Sequence, residues 1–512
     1  MKALEVVLQT WEAVIGLEVH TELTTLESKM FCGCKLEYGA APNTHTCPIC
    51  LGLPGALPVP NKAAIESIVL AGLATNCEIE KHSMFYRKNY MYPDMTKNFQ
   101  TTQGPIAFCM RGYLDLEVDG QAAKERIDMP DAQENGSYST HIAIERIHME
   151  EDAGKLNHIG GSEGRIAGAT HSLVDYNRCG TPLIELVTQP DLRTPEEARL
   201  FMQKLRQIYL SLGISDCSME EGSLRCDGNV SLRRRGASEL GTKTELKNMN
   251  SFKNLHDGLA YEICRQAEVL EEGGVIYQET RHWDPSLKRT IVLRVKETAD
   301  DYRYFPDPDL APYELSDEFI EKVREKLPEL PDDKAKRFAS EFDLSSYDVR
   351  HLVEDLDFSS FFEASMAVAA DKKMAKPVAN LIINDIAAYL NTHEERALSD
   401  MPLTPERAVA LLTLQVNDDI SSKQAKEVFS AILEEDKDPE VIVSERGMKQ
   451  VSDTGAIEAI VDAVLSENPD KVEQYRSGKT GLIGFFVGQV MKEMKGQGNP
   501  KIINELLSSK LK

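Results

Sequence analysis

The amino-acid sequence predicts an α+β fold in three parts. We expect a mixed-sheet domain over residues 1–295, an all-α domain over 296–403 and a small all-α tail domain over 404–512. Short stretches that alternate polar and apolar residues are mixed with helical patterns through most of the first part. Beyond Glu314 the hydrophobic periodicity is almost entirely helical. Strands followed by a run of helices are typical of an α+β chain with a separate helical region.

Individual elements can be predicted in order along the chain. Asn61 is a candidate cap for a helix through Leu73. A second helix has its cap at Thr194, a proline in its first turn and an end near Gly213. A third helix should run from about Phe252 to Glu272, capped by Asn250 or Ser251. Residues 142–144 and 182–187 have strand-like patterns. A further capped helix start, at residues 404–406, opens the tail.

Length and composition limit the function classes. The chain has 512 residues, of which 42% are hydrophobic and 28% are charged, so it can bury full cores. Its formal net charge of −25 repels nucleic acids and anionic membranes at long range, so any nucleic-acid binding must use local basic patches. We find no apolar stretch long enough for a membrane helix and no signal peptide, and we expect a cytoplasmic protein without membrane contact.

The first strand-like run, Trp11–His20, carries a carboxylate and an imidazole two residues apart. Side chains alternate between the faces of a strand, so Glu18 and His20 point to the same side. Such a pair can bind a metal ion or an anionic substrate, although an ion pair on the surface of a strand is the commoner explanation.

Two acidic turns strengthen the metal interpretation. One follows a strand and contains Glu150, Glu151 and Asp152, and the other contains Glu220 and Glu221. Oxygen ligands near turns suit Mg²⁺, which keeps several waters and binds phosphate groups. Each cluster alone is also explained as a solvated acidic loop.

Four cysteines lie in two close pairs, Cys32/Cys34 and Cys47/Cys50. Four thiolates at this spacing can close a tetrahedral zinc site without an open position, which indicates a structural role. Four unrelated buried thiols, a disulfide or a redox pair are the alternatives.

Two segments combine cations with features that suit nucleotides or RNA. Residues 85–94 interleave aromatic rings with Arg87 and Lys88, and Lys97 follows; the same pattern also fits a surface hairpin. The chain from Lys471 onward is locally basic, which favours contact with a phosphate backbone about as much as a solvated helix face. Ser477-Gly478-Lys479-Thr480 lacks the glycine that a phosphate-binding loop requires, so we predict an ordinary loop there.

Together these segments resemble the GatB/GatE family, and specifically its GatB branch, over essentially the whole chain. The residues that carry the resemblance are 16–20, 57–59 with Asn61, 86–90, 92–94, 150–155, 175–178 with Gly180, 182–183, 219–223, 247–248 and 301–306.

The resemblance implies a cradle-shaped catalytic domain, a helical domain and a tail that contacts tRNA. It implies an ATP- and Mg²⁺-dependent ligase that phosphorylates the side-chain carboxylate of Glu-tRNA(Gln) or Asp-tRNA(Asn) and amidates it with ammonia. The ammonia would come from a separate amidase (glutaminase) protein, assembled with a small third protein in a heterotrimer. This chain shows no glutaminase motif of its own, as that division of labour requires.

The resemblance also implies roles for individual residues. The expected catalytic residues are Lys88, Lys97 and Glu151. The expected magnesium ligands are Glu18, His20, Glu150, Glu151 and Glu220, and only one of the adjacent Glu150 and Glu151 can face a given side of a strand. The four cysteines match a zinc-knuckle insertion near 32–50. The residues expected to bind substrate or ATP are Arg87, Tyr90, Lys155, Asn177, Arg225, Lys247 and Asn248.

Two other functions stay open at this stage. A non-catalytic RNA-binding scaffold would combine the zinc module with the basic tail and would need neither Glu18 nor His20. A free-standing metal-dependent hydrolase of small phosphate esters would act without tRNA.

Overall fold

A computed structural model gives the structure of the chain and describes residues 2–160, 168–295, 302–393, 395–449, 454–494 and 498–511. The chain divides into two compact units, Met1–Leu330 and Pro331–Lys512. The predicted first domain boundary falls beside residues 296–301, which lie outside the described residues, as does Asp301 of the matching motif. The three-domain division stays a prediction.

The first unit is built on a twelve-stranded sheet with two small two-stranded sheets beside it. The strands are β1 (Trp11–Glu22), β2 (Glu78–Ile79), β3 (His82–Ser83), β4 (Phe85–Asn89), β5 (Phe99–Gln103), β6 (Cys109–Asp119), β7 (Ser137–Glu151), β8 (Lys155–Ile159), β9 (His171–Asp175), β10 (Pro182–Thr188), β11 (Leu224–Arg234), β12 (Thr244–Lys247), β13 (Glu279–Asp284), β14 (Arg289–Val295), β15 (Phe305–Pro306) and β16 (Tyr313–Glu314).

The large sheet is mixed, as the sequence predicts. Its order is β14-β13-β12-β11-β1-β10-β7-β5-β4-β15, with β6 also paired to β7. Only β12 and β13 run parallel, and every other described pair in this sheet is antiparallel. The long strands β11, β1, β10 and β7 lie side by side in the middle, so residues distant in the chain become neighbours there.

Helices cover the apolar face of this sheet. They are α1 (Leu4–Leu8), α2 (Lys62–Ala74), α3 (Gly120–Ala123), α4 (Pro130–Glu134), α5 (Pro195–Ser211), α6 (Phe252–Glu271) and α7 (Asp317–Arg324). Apolar residues of β1, β7 and β10 pack with α2, α5 and α6 in one large core. The other face of the central strands carries the polar side chains.

The second unit is all-α. Its helices are α8 (Pro331–Phe342), α9 (Ser346–Glu354), α10 (Leu356–Ala369), α11 (Ala375–Asn380), α12 (Ala387–Thr392), α13 (Pro405–Val416), α14 (Ser422–Glu435), α15 (Pro439–Glu445), α16 (Thr454–Glu467), α17 (Pro469–Arg476), α18 (Ile483–Glu493) and α19 (Pro500–Lys510). One core includes residues from Phe338 to Val443, and a second core includes residues from Ile457 to Leu511. The first core crosses the predicted boundary at 403/404.

The predicted helix signals are confirmed. Asn61 accepts hydrogen bonds from two amides of the first turn of α2, and Thr194 accepts one from Glu197 at 3.1 Å in α5. Ser251, rather than Asn250, caps α6, since its hydroxyl accepts from the amide of Asn254 at 3.0 Å. Each cap satisfies a backbone donor that the helix leaves free. None of the described helices is both long and apolar enough to cross a membrane.

Candidate active site on the polar face of the sheet

Strand β1 sorts its side chains by alternation. Ile15, Leu17 and Val19 point into the core, so Glu18 and His20 share the opposite face, as predicted. On this face His20 lies opposite Glu185 of β10, and Glu185 lies opposite His148 of β7. Three adjacent strands therefore bring an imidazole, a carboxylate and an imidazole into one row.

Two members of this row, His20 and Glu185, form a compact group of possible metal ligands with Glu150. Glu185 Oε2 lies 3.2 Å from His20 Nε2 and 3.5 Å from His148 Nε2. Ligand atoms of His20, Glu150 and Glu185 all lie within 4.8 Å of one another. The Nδ1 atom of His148 is buried without a hydrogen-bond partner among the described residues. One imidazole and two carboxylates are a donor set that suits a divalent cation.

The electrostatics of the group favour the charged forms. Burial disfavours a charged His20, but the hydrogen bond and the charge of Glu185 outweigh it and raise the pKa of His20. Burial also opposes ionisation of Glu185 and Glu150. For Glu185, the imidazoles of His148 and His20 and the ammonium of Lys88 overcome burial and hold its pKa below the usual range. For Glu150, the charge of Glu185 adds to the opposing effect of burial, but His148 and Lys88 still hold its pKa below the usual range.

A second group of possible ligands lies beside the first on β1, β11 and β12. Ligand atoms of Glu18, Asp227 and Glu245 lie within 4.8 Å of one another. Lys247 forms ion pairs with Asp227 and, at 3.5 Å, with Glu245. Glu18 and His20 are two residues apart on β1, so their Cα atoms are roughly 7 Å apart and the two groups are neighbours on this face.

Lys88 reaches the same face from β4. Burial disfavours its ammonium, but the charges of Glu150 and Glu185 are among the causes that raise its pKa. Its Nζ has no carboxylate within 4.0 Å and no hydrogen-bond partner among the described residues. It lies 5.3 Å from the centre of the Tyr302 ring. Lys88 is thus a fixed cation that remains available to an anionic ligand.

The adjacent residues Glu150 and Glu151 point to opposite faces of β7. Glu150 accepts hydrogen bonds from Gln100 Nε2 at 3.0 Å and Thr102 Oγ1 at 2.7 Å on the polar face. Glu151 instead forms a buried ion pair with Lys97. The structure therefore brings His20 and Glu150 together, and it separates Glu151 from that group.

Lys97 and Glu151 line a cavity of about 240 Å³ on their side of the sheet. Arg87 also lines it, paired with Asp307 at 3.0 Å and Asp309 at 2.7 Å. The cavity wall includes Cys32 and Cys50, so the cysteine loop and the Lys97–Glu151 pair share one space.

The four predicted zinc ligands converge. The Sγ atoms of Cys32, Cys34, Cys47 and Cys50 lie within 4.8 Å of one another, and all four cysteines are free thiols. Tetrahedral Zn–S bonds of about 2.3 Å would set the sulfurs roughly 3.8 Å apart, and Cys47 Sγ lies 3.9 Å from Cys50 Sγ. The hydrogen bond with Cys32 is the largest cause, above the opposing burial, that lowers the pKa of Cys50 to about 5. The arrangement fits a structural zinc ion.

Asn177 holds this cysteine loop in position. Its Oδ1 accepts from the amide of His45 at 2.8 Å, and its Nδ2 donates to the carbonyl of Ala41 at 2.8 Å. The amide of Cys47 donates to Cys50 Sγ at 3.1 Å within the loop itself. The predicted ligand-binding Asn177 therefore has a visible packing role.

Arg225 belongs to a charge cluster at the start of β11. It pairs with Asp152, which also pairs with Arg178, and Arg178 donates to Glu22 at 2.8 Å. Burial opposes ionisation of Asp152, but the two guanidinium groups lower its pKa to about 2. Burial, followed by the charge of Asp152, raises the pKa of Glu22 to about 7. The Nε atom of Arg225 is buried without a partner among the described residues.

The remaining predicted site residues belong to none of the ligand groups found among the described residues. Lys155 is exposed at the start of β8, and Tyr90 lies near the Tyr302 ring with 6.4 Å between ring centres. Asn248 has a φ of 68° and donates to the carbonyl of Trp283 at 3.2 Å. Glu220 is exposed in a turn and belongs to none of the three ligand groups found among the described residues. Their functional roles stay predictions.

Three acids of the two ligand groups were not predicted from the sequence: Glu185, Asp227 and Glu245. Glu185 is the single charged residue in the apolar strand 182–188, and that isolation was a usable signal. The pairing of β1 with β10 and β11, which makes these acids neighbours of Glu18 and His20, cannot be read from local pattern.

Two groups of possible metal ligands and Lys88 on one face of the sheet mark this unit as a candidate catalytic domain. Comparison with known proteins agrees: residues 13–321 match the family described as the GatB/GatE catalytic domain, and residues 360–511 match the GatB domain family. The chain belongs to the GatB/GatE family, as its motifs predict.

Relatives match almost end to end. The chain is 49% identical to the B subunit of aspartyl/glutamyl-tRNA(Asn/Gln) amidotransferase from Carboxydothermus hydrogenoformans, over 98% of this chain and 99% of the relative. The proteins of the same name from Geobacter sp. (strain M21) and Geotalea uraniireducens are 48% and 49% identical over the same shares. The enzyme class predicted from the sequence, one protein of an amidotransferase ligase complex, is thereby confirmed.

Proposed function

We propose that this chain is the kinase and transamidase component of a glutamine-dependent tRNA amidotransferase. It would phosphorylate the side-chain carboxylate of Glu-tRNA(Gln) or Asp-tRNA(Asn) with ATP and then let ammonia displace the phosphate. A carboxylate is a poor electrophile because oxide is a poor leaving group, and phosphate is a good one. The products would be Gln-tRNA(Gln) and Asn-tRNA(Asn), and the reaction would take place in the cytoplasm, where charged tRNA is used.

One observation carries this proposal: the ammonium of Lys88, unpaired among the described residues, faces the ligand group of His20, Glu150 and Glu185 across the same sheet face. Phosphoryl transfer depends on positioning and on neutralising the charge of the phosphate oxygens. Magnesium ions bound by the two ligand groups would supply much of that neutralisation. Lys88 would contact the transferred phosphoryl group or the substrate carboxylate.

The second ligand group, Glu18, Asp227 and Glu245, supports the proposal that the site binds a nucleoside triphosphate. Glu18 and Asp227 offer oxygen ligands beside the first group, and Lys247 already balances part of their charge. Because the two groups share no residue, we propose two separate cation positions. Glu220 would join them only if its turn moved.

Lys97 and Glu151 would act from the other side of the sheet. Because they neutralise each other within the cavity, we propose that they hold Thr101 and β5 in place beneath Gln100, which orients Glu150. Arg87 and Tyr90 would shape the neighbouring β4 hairpin, while Arg225, Lys155, Asn177 and Asn248 remain candidate contacts for ATP or the tRNA end.

Partners follow from the relatives' name, which makes each of them one component of an amidotransferase. We propose that this chain works in a heterotrimer with a separate amidase and a small third protein, and that the predicted tail, residues 404–512, binds tRNA. The four cysteines would hold a structural zinc ion.

A reconstituted reaction tests the proposal. The chain is combined with the amidase and the small third protein, ATP, Mg²⁺, ammonium chloride and either Glu-tRNA(Gln) or Asp-tRNA(Asn), and the aminoacyl group is analysed. We expect amide formation that Lys88→Ala and His20→Ala abolish and that Lys81→Ala, at an exposed lysine paired with Asp317, leaves unchanged. Tight tRNA binding without amidation by any of these proteins would favour the RNA-binding scaffold instead.

A further inference from the structure

Lys29 lies outside the site described above and has an unusual environment. Its side chain is completely buried, with a relative exposure of 0%. The ammonium contacts Cys50 Sγ at 3.7 Å and donates to the carbonyl of Tyr176 at 3.1 Å. Within the described residues no carboxylate lies within ion-pair distance of it.

A buried cation of this kind needs a negative partner. An unpaired ammonium inside a protein lowers the free energy of unfolding, and one carbonyl does not neutralise a full charge. The four cysteine sulfurs, within 4.8 Å of one another, are the anionic group at hand. Bound to Zn²⁺, four thiolates carry a net charge of −2, which a neighbouring cation stabilises.

We propose that Lys29 is the outer-sphere cation of the four-cysteine zinc centre: it hydrogen-bonds Cys50 and compensates the negative charge of the zinc-bound thiolates. This rests on the zinc site proposed above. Lys29 is therefore a positioning residue, because it would act on the metal through a sulfur ligand.

The contacts of Lys29 also connect the zinc centre with the cavity. Its ammonium binds Tyr176, and a Cβ atom placed on Gly180 would lie 3.6 Å from Lys29 Cδ and 3.9 Å from Glu151 Oε2. Thr96, next to Lys97, donates to the carbonyl of Cys50 at 2.8 Å. Zinc binding should therefore affect the positions of both Lys97 and Glu151.

Zinc release and a cobalt spectrum test the role of Lys29. Wild type, Lys29→Met and Lys35→Met are purified; Lys35 is an exposed lysine of the same loop, paired with Glu37 at 2.7 Å, and serves as the matched control. We expect zinc affinity, measured by competition with a chelator, to fall about 10- to 100-fold in Lys29→Met, the usual effect of removing an outer-sphere partner. We expect no change in Lys35→Met.

The cobalt-substituted proteins give a readout that a loss of packing would not produce. Without the cation the thiolate electrons are held less tightly, so the sulfur-to-cobalt charge-transfer band of Lys29→Met should move to longer wavelength than in wild type and Lys35→Met. Equal zinc affinity and an equal band position in all three proteins would overturn the proposal. Wild type that contains no zinc but folds normally would refute the zinc site itself, which is a different outcome.

A measurement on wild type keeps the proposal testable if Lys29→Met does not fold. Zinc is removed with a chelator, and lysines are acylated before and after removal and identified by mass spectrometry. Lys29 should be protected from acylation in the zinc-bound protein. In the stripped protein it should become reactive, because an ammonium without its countercharge is no longer held in the interior. Lys35 should react equally in both. Continued protection of Lys29 after zinc removal would contradict the proposed charge pairing.

Discussion

Glu185 is one of three acids that the structure adds to the site, and Glu185→Gln tests its role. The substitution keeps the size of the side chain and removes the charge that faces His20 at 3.2 Å and His148 at 3.5 Å. A hydrogen bond to a charged group is worth about 1.5–3 kcal/mol, and about 1.4 kcal/mol corresponds to a tenfold change in affinity. We therefore expect the apparent affinity for Mg²⁺ to fall roughly 10- to 100-fold.

The same substitution should change the pH dependence of activity. A metal ion needs neutral His20, while Glu185 raises the pKa of His20 and so favours its charged form. At limiting Mg²⁺, wild-type activity should rise as the pH increases above the ordinary histidine range. In Glu185→Gln the pKa of His20 falls, so this rise should occur at lower pH.

The assay is tRNA-dependent ATP turnover, measured against Mg²⁺ concentration at several pH values. Glu117→Gln is the matched control, because Glu117 is an exposed acid on β6 of the same sheet. A Glu185→Gln variant with wild-type Mg²⁺ dependence and an unchanged pH midpoint would refute the assignment of His20, Glu150 and Glu185 to one cation site.

Three other perturbations have defined outcomes. Lys88→Ala should lower tRNA-dependent ATP turnover about a hundredfold or more at unchanged circular dichroism, since it removes a preorganised cation from the reacting phosphate; turnover within a few-fold of wild type would exclude that role. Asp152→Asn should cost about 2 kcal/mol of unfolding free energy at neutral pH, because the pKa of Asp152 is lowered to about 2 and one pKa unit corresponds to ~1.36 kcal/mol. Urea titrations should show that the difference is full above about pH 4 and disappears as the pH falls toward 2; a constant difference would contradict this cause. Truncation after Met448 should weaken tRNA binding at least about tenfold while ATP binding persists, whereas truncation after Leu403 should unfold the second unit by removing α13–α15 from its first core; binding and melting curves of both proteins decide this.

Local signals in the sequence predicted the elements well. The caps at Asn61, Thr194 and Thr404 are side-chain to backbone contacts within three residues, so they can be read from sequence. The cysteine pairs converge because they lie close together in the chain. The first core of the second unit was harder to foresee: it joins Phe338 to Val443 through packing that no cap or periodicity marks.

The site itself depends on strand pairing, which is long-range. Alternation along β1 placed Glu18 and His20 on one face, but only the pairing of β1 with β10 and β11 shows which acids face them. Glu150 and Glu151 illustrate the limit most clearly. The sequence showed that two adjacent strand residues cannot share a face, and it could not say which one faces His20, because that depends on the register of β7 against β10.

The separation of Glu150 and Glu151 has a functional consequence. On the polar face, Gln100 and Thr102 hold Glu150 at the group that would bind the cation. On the other face, Glu151 accepts hydrogen bonds from Lys97 and from the amide of Thr101. Thr101 lies on β5, the strand that also carries Gln100 and Thr102. A change at the Lys97–Glu151 pair would move β5 and therefore Glu150, even though neither Lys97 nor Glu151 reaches the cation. Substitutions of Glu151 should thus impair catalysis through Glu150, with a loss of Mg²⁺ affinity that accompanies the loss of turnover.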